Sequence, residues 1–253
     1  MRIVTWNTFG IRTALPNLQM MLKSCTPDVV CLQETKIRDV YANFDFNGYQ
    51  QYWNESTDFA HLGTALLSKS SSLVAVTSDN FDVYYDKGNV IVAELEEIYV
   101  VCVYVPYAGV MGTTRHNRHC WYKCFQSLIH QLQQNKPCII CGDFNVVQHE
   151  EDTWDKAAIN TSLACFTAEE RVEIEKFVQE EQLVDVYRYL YSDTESEGFT
   201  YFPFGAEYRK DKKGYRIDLF LISKQLINKV VDCYPLQDVE GSCNVPLLLD
   251  IDI

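Results

Sequence analysis

The chain has 253 residues, with 22 Lys and Arg against 35 Asp and Glu, a formal net charge of −13. Its 47% apolar and 23% charged residues exclude a disordered or collagen-like chain, and no apolar run approaches the ~20 residues needed to cross a bilayer. The acidic balance argues against a protein that coats nucleic acid by bulk attraction, but leaves room for a small local basic site. Ten cysteines stand singly, several in apolar stretches (Cys25, Cys31, Cys102, Cys138, Cys141), and are not spaced as a disulfide frame. The opening MRIVTWNTFG has neither the charged nor the apolar region of a signal peptide. Together these features predict reduced core thiols in an intracellular setting, cytoplasmic or nuclear.

In chain order, the pattern predicts a strand at Arg2–Trp6 and a helix over about Asn17–Ser24, following Pro16. Strands follow at Val29–Gln33, Leu62–Ser68, Leu73–Thr77, Val90–Glu94 and Tyr99–Val105. Trp121, Cys124, Phe125, Leu128, Ile129 and Leu132, spaced by three and four, predict a helix over about Asn117–Gln134. After a strand at Pro137–Gly142, Thr167 is expected to cap a helix with Glu169 and Glu170 in its first turn and Val172, Ile174 and Phe177 as its apolar stripe. Strands are expected again at Thr200–Phe202 and Ile217–Leu221, and in the closing LLLDIDI. No Gly-, Pro- or Ser-rich linker and no internal repeat interrupts the pattern, which implies one α+β domain over residues 1–253, built on two packed sheets. The acidic segments Glu150–Asp152, Glu180–Glu181 and Asp193–Glu197 read as solvated loops or helix faces. A basic cluster, Arg209, Lys210, Lys212 and Lys213, precedes a strand and suits either phosphate contact or a plain surface loop.

Four segments place oxygen and amide groups at strand ends: Thr5–Gly10, Leu32–Lys36, Cys141–Asn145 and Tyr215–Asp218. A rigid strand ending in a polar residue is a common way to present a site. A lone carboxylate there is more often a cap or an ion-pair partner, so the weight rests on all four in this order. Their hard oxygen donors suit Mg²⁺ or Ca²⁺, whereas no Cys/His set has zinc spacing.

Taken together, WNTFGIR, PDVVCLQETK, TALLSK, GNVIVAE, VYVPYAG, CGDFNV, FTAEER and YRIDLFLIS resemble the exonuclease III/apurinic-apyrimidinic (AP) endonuclease family of the endonuclease–exonuclease–phosphatase superfamily. That resemblance implies a four-layered α/β sandwich of two mixed sheets flanked by helices. It also implies Mg²⁺- or Mn²⁺-dependent phosphodiester hydrolysis on DNA, at abasic sites or 3′ ends. By resemblance, Glu34 would be the principal metal ligand with Asn7 beside it, and Asp143 would hold or activate the attacking water. Asn145 would orient the phosphate, Tyr104 would contact it, and Asp218 would orient a histidine. Arg12, Lys36 and Asn160 would be further phosphate contacts, and Tyr201 and Tyr215 would border the abasic pocket.

The departures from the family bear on activity. Where the family has Ser-Asp-His followed after one residue by Pro, this chain has Ser242-Cys243-Asn244-Val245-Pro246. A carboxamide does not titrate near neutrality and cannot act as a proton acceptor. An acidic residue after the WN pair is Phe9 here, and an Asn after the Val-Pro pair is Tyr107. Residues of relatives that enter or flank DNA align with Val110, Gly205 and Leu163. None of the five histidines (His61, His116, His119, His130, His149) has a spacing that sets it against Asp218, and Cys243 has no evident cationic neighbour to make it a nucleophile. The expectation is a family member with reduced or lost hydrolysis, a weakly held metal, weak DNA binding and no membrane association. Its surface would be available for other nucleic acid or for a protein. An active DNA repair nuclease and a phosphatase or phosphodiesterase on another ester are the alternatives.

Overall fold

The computed structural model describes residues 1–37, 44–46, 48–55, 63–69, 73–77, 88–109, 113–192, 198–203 and 205–253. Its first sheet gathers β1 (Arg2–Asn7), β2 (Val29–Gln33), β3 (Gln50–Asn54) and β4 (Thr64–Ser68), with helix α1 (Ile11–Cys25) between β1 and β2. The second is built from β5 (Leu73–Thr77), β6 (Val90–Leu95), β7 (Tyr99–Tyr104) and β8 (Cys138–Asp143), with α2 (Thr113–Gln133) crossing from β7 to β8. Helix α3 (Ala168–Glu180), β9 (Leu183–Asp185), α4 (Val186–Leu190), α5 (Ala206–Lys210) and β10 (Asp218–Ser223) follow, before the chain returns to the first sheet as β11 (Val230–Pro235) and β12 (Leu247–Ile251). The two mixed six-stranded sheets run β11-β12-β1-β2-β4-β3 and β5-β6-β7-β8-β10-β9.

Alternation along the strands decides the layers. One face of each sheet points inward, so that Ile3, Cys31, Leu66 and Leu249 meet Val100, Cys102, Ile139, Cys141 and Phe220 between the sheets. The opposite parity points outward. Val4, Trp6, Val30 and Leu32 receive Ile11, Leu18 and Met21 of α1, while Val101, Val103, Ile140 and Leu219 receive Trp121, Phe125, Ile174 and Phe177 of α2 and α3. Helix–sheet–sheet–helix is the four-layered sandwich that the sequence implied. No helix among the described residues is long and apolar enough to cross a membrane.

Three expectations need correction. Helix α1 begins at Ile11, not beyond Pro16, which lies inside it. Pro16 and Arg12, whose carbonyl loses its helical donor, are both exposed, so water can stand in. Residues 200–202 do not form a strand; Tyr201 makes isolated bridges to Tyr215 and Asn244. Two acidic residues read as solvated are buried, Asp152 fully and Glu181 nearly so, because Arg216 and Arg188 meet the first and Gln126 and His130 the second. Residues 193–197, and Leu62 of the predicted strand Leu62–Ser68, lie outside the described residues.

The Thr167 cap is present as predicted. Its hydroxyl accepts from the Glu170 amide at 3.2 Å while its own amide donates to Glu170 Oε2 at 3.2 Å, a reciprocal capping box. Thr167→Ala is expected to cost about 1 kcal/mol of stability, which chemical denaturation of wild type and variant would measure.

Candidate active site

The topology brings the four polar strand ends to one edge of the sandwich. Parallel β1 and β2 end together, with Asn7 opposite Gln33 and Glu34 one residue beyond. Parallel β7 and β8 likewise end with Tyr104 opposite Asp143, and antiparallel β10 begins with Asp218 opposite the same Asp143. Gly142 permits this approach: a Cβ there would lie 1.7 Å from the Val103 carbonyl oxygen.

Asn7 joins the two sheets. Its Nδ2 donates to Glu34 Oε1 at 2.9 Å and to Asp143 Oδ2 at 2.7 Å, while its Oδ1 accepts from the Phe9 amide at 3.0 Å. In this arrangement Asn7 aligns the two carboxylates, and its own oxygen faces the backbone. Asn145, in a left-handed conformation (φ 48°), donates its amide N–H to Asp143 Oδ1 at 2.9 Å and its Nδ2 to the Val105 carbonyl at 2.9 Å. Phe9, Glu34 and Lys36 are also left-handed (φ 47°, 46° and 52°). Non-glycine residues held this way concentrate at functional turns.

The C-terminal segment docks onto the same edge. The Asn244 carbonyl accepts from Trp6 Nε1 at 3.0 Å, and its amide N–H donates to Ser242 Oγ at 3.1 Å. Ser242 Oγ in turn donates to the Asn7 carbonyl at 2.8 Å. From this pinned backbone the Asn244 Nδ2 donates to Asp218 Oδ2 at 2.9 Å. Thr200 Oγ1 accepts the Asp218 amide N–H at 3.0 Å, a support with no signal of its own in a single sequence. Burial, reinforced by Asp143, holds the Asp218 carboxyl well above the usual range. Burial also lifts Asp143 to about 7, against the opposing bonds from Asn7 and Asn145. The Tyr104 hydroxyl is raised by burial, with Glu34 and Asp143 adding to it.

The remaining predicted residues are placed less uniformly. Lys36 reaches back to Glu34 Oε2 at 3.2 Å, with its ammonium 3.4 Å from the centroid of the Phe9 ring. Tyr201 and Tyr215 stack, with centroids 6.0 Å apart at 26°, and the Tyr201 bridge to Asn244 ties this pair to the cluster. Arg12 is exposed in the first turn of α1. Asn160 is exposed on the loop before α3, where its Oδ1 accepts from Arg171 at 2.9 Å. Leu163 and Tyr107 are exposed and Gly205 precedes α5, whereas Val110 lies outside the described residues. His119 and His130 face Glu173 and Glu181, and His149 is exposed. No histidine whose side chain is described contacts Asp218; His61 and the side chain of His116 lie outside the description. In the basic cluster, Arg209 is committed to the carbonyls of Val239 and Ser242, and Lys213 to Asp211.

The donor set suits a hard divalent cation. Glu34, Asp143 and Asp218 are drawn together, and the buried Asp218 Oδ1 has no hydrogen-bond partner. Among the described residues, however, no three or more His, Cys, Asp or Glu are grouped to hold an ion by themselves. An ion at Glu34 would therefore take most of its ligands from water and substrate, as Mg²⁺ commonly does.

Comparison with known proteins gives the chain its family. The chain is 33% identical over its full length to an exodeoxyribonuclease of Bacillus subtilis, all of which is covered. It is 30% identical, again over its full length, to a DNA-(apurinic or apyrimidinic site) endonuclease of Dictyostelium discoideum, covering 71% of that protein. Solved structures of AP endonucleases from Leishmania major and Archaeoglobus fulgidus superpose with TM-scores of 0.87 and 0.86, each at 26% identity and over all of this chain. They are covered to 87% and 100% respectively. Residues 4–240 match the Endonuclease/Exonuclease/phosphatase family as a whole. A strand-end cluster of this kind, on a sandwich of this kind, thus has a family: the chain belongs to the endonuclease/exonuclease/phosphatase family, among its exonuclease III-like and AP endonuclease members.

Proposed function

We propose that this chain is an exonuclease III-like AP endonuclease homologue whose divalent-metal-dependent phosphodiester hydrolysis is strongly reduced or lost, leaving a phosphate-facing surface available for binding. One observation carries the reading. The side chain set against Asp218 is the amide of Asn244, 2.9 Å away, and an amide takes up no proton near neutrality. Loss of a general acid–base group typically costs ~10²–10⁴-fold in rate.

In this reading Glu34, aligned by Asn7, would hold Mg²⁺ or Mn²⁺, which when bound neutralises charge on the phosphoryl oxygens. Asp143 would hold the attacking water, with Asn145 and Tyr104 toward the phosphate. Arg12, Lys36 and Asn160 would lie along the backbone of the substrate, and Tyr201 and Tyr215 beside its sugar. The test is Mg²⁺-dependent nicking of a labelled abasic duplex, with EDTA and Glu34→Ala as controls. Nicking indistinguishable from the Glu34→Ala background is expected; robust nicking abolished by Glu34→Ala would refute the reading.

That second outcome describes an active Mg²⁺-dependent nuclease, which one observation favours. Burial holds Asp143 at about 7, where a carboxylate can exchange a proton near neutral pH. A pH–rate profile with an acid limb abolished by Asp143→Asn would belong to that alternative.

Binding of duplex DNA is expected to be weak. With a net charge of −13 and with Arg209 and Lys213 already engaged within the protein, few side chains remain to release counterions from phosphates. About two or three such contacts give a log–log salt slope no steeper than about −3. Fluorescence anisotropy of a labelled abasic duplex across a NaCl series would measure it, and tight binding at physiological salt would contradict it.

A further inference from the structure

Both oxygens of Glu34 are engaged. Oε1 accepts from Asn7 Nδ2 at 2.9 Å, and Oε2 faces Lys36 Nζ at 3.2 Å. The same ammonium lies 3.4 Å from the centroid of the Phe9 ring, well inside the ~6 Å reach of a cation–π contact. The Lys36 stem passes over Gly10, where a Cβ would come within 3.9 Å of Cδ. The side chain is thus bracketed along its length by Gly10, Phe9 and Glu34.

We propose that Lys36, pinned between the Phe9 ring and Glu34, is a tethered counter-ion that competes with a divalent cation for the Glu34 carboxylate. The inference rests on the reading of Glu34 as the metal-facing carboxylate. It accounts for Phe9, which is 58% exposed and too far from solvent exclusion to be held as core. An aromatic face attracts the ammonium toward the carboxylate, whereas an acidic side chain at this position would have added to the charge that attracts a metal. An arriving cation must displace Lys36 from Oε2 and separate it from the ring, so the ring weakens metal binding without touching the metal.

The consequence is a specific coupling. If Phe9 acts only by holding Lys36, removing the ring matters only while Lys36 is present. Mn²⁺ titration followed by electron paramagnetic resonance, without substrate, reads the affinity in wild type, Phe9→Leu, Lys36→Met and the double variant. Phe9→Leu is expected to tighten Mn²⁺ binding ~3- to 10-fold and Lys36→Met ~10-fold or more. The double variant is expected to match Lys36→Met, and adding Glu34→Gln should remove the gain. Far-ultraviolet circular dichroism confirms that each variant is folded. Phe9→Leu with wild-type affinity, multiplicative effects in the double variant, or no Mn²⁺ binding in any of the four would overturn the proposal. Because the readout is affinity and not hydrolysis, its failure is separate from any result of the nicking assay.

Discussion

Restoring Cys243→Asp together with Asn244→His is expected to raise Mg²⁺-dependent nicking of abasic duplex by ~10²-fold or more. The geometry favours a productive graft. In both asparagine and histidine the first side-chain nitrogen lies one bond beyond Cγ, so a histidine Nδ1–H can take over the 2.9 Å bond that Asn244 Nδ2 makes to Asp218 Oδ2. Its Nε2 is then left to serve as the proton acceptor that the amide lacks. The backbone is already fixed by Trp6 and Ser242, so little ordering remains to be done. Asp218, held well above the usual carboxylate range chiefly by burial, would gain an ionisable partner whose cationic form it stabilises. Asn244→His alone separates the proton acceptor from the charge at position 243. Adding Phe9→Asp should increase the rate further by placing a second carboxylate near Glu34 for the metal. No gain in any of these variants, with folding intact, would mean that the missing histidine is not what limits the reaction.

The candidate site is legible because its residues end buried apolar runs. VVCLQ before Glu34, CIICG before Asp143 and the run after Asp218 each announce a strand whose terminus is polar, and parallel pairing then brings the ends together. The capped start of α3 was equally plain, since both halves of its box lie within four consecutive residues. Strands β3, β9 and β11 carry little sequence signal for a common reason. They lie at the sheet edges, where QQYWN, LVD and VVDCYP need not alternate or bury both faces, and β11 is irregular between Val230 and Asp232. Helix α1 is longer than its pattern predicts because a proline reads as a start signal, whereas its exposed position makes it tolerable inside. Side-chain partnerships were the least legible feature. That Lys36 turns back onto Phe9 depends on three left-handed turns converging, and that Asp152 is buried depends on an arginine 64 residues away. Charge in a sequence reads as solvated until its partner is known.

Asp152→Asn is expected to cost about 3–5 kcal/mol at neutral pH, because it leaves buried arginines short of a counter-charge. Asp152 and Arg216 are 0% and 1% exposed. Asp152 accepts from Arg216 Nε at 2.7 Å and Nη2 at 3.1 Å, from the His149 amide at 3.0 Å, and from Arg188. Arg216 also meets Asp185 at 2.8 Å, which keeps the cost below that of an isolated buried cation. Burial opposes ionisation of Asp152, but Arg216 and Arg188 outweigh it and hold its carboxyl below the usual value of 3.8. A depressed folded-state value means that the stabilisation is complete above the unfolded aspartate value, near 4. It is lost as pH falls below that, because the unfolded chain then binds the proton first. The variant lacks this titration, so the gap between wild type and Asp152→Asn should be full at about pH 7 and narrow below about pH 4. Urea denaturation of both proteins across that range is the measurement. An equal gap at both ends would show that Asp152 contributes through packing and not through its charge. The effect should also reach the site, since the Arg216 amide donates to the Asp152 carbonyl at 2.9 Å and Arg216 lies between Tyr215 and the strand that begins with Asp218. Loosening this tie would free the tyrosine pair and Asp218 together, so any nicking gained through Cys243→Asp with Asn244→His should fall when Asp152→Asn is added.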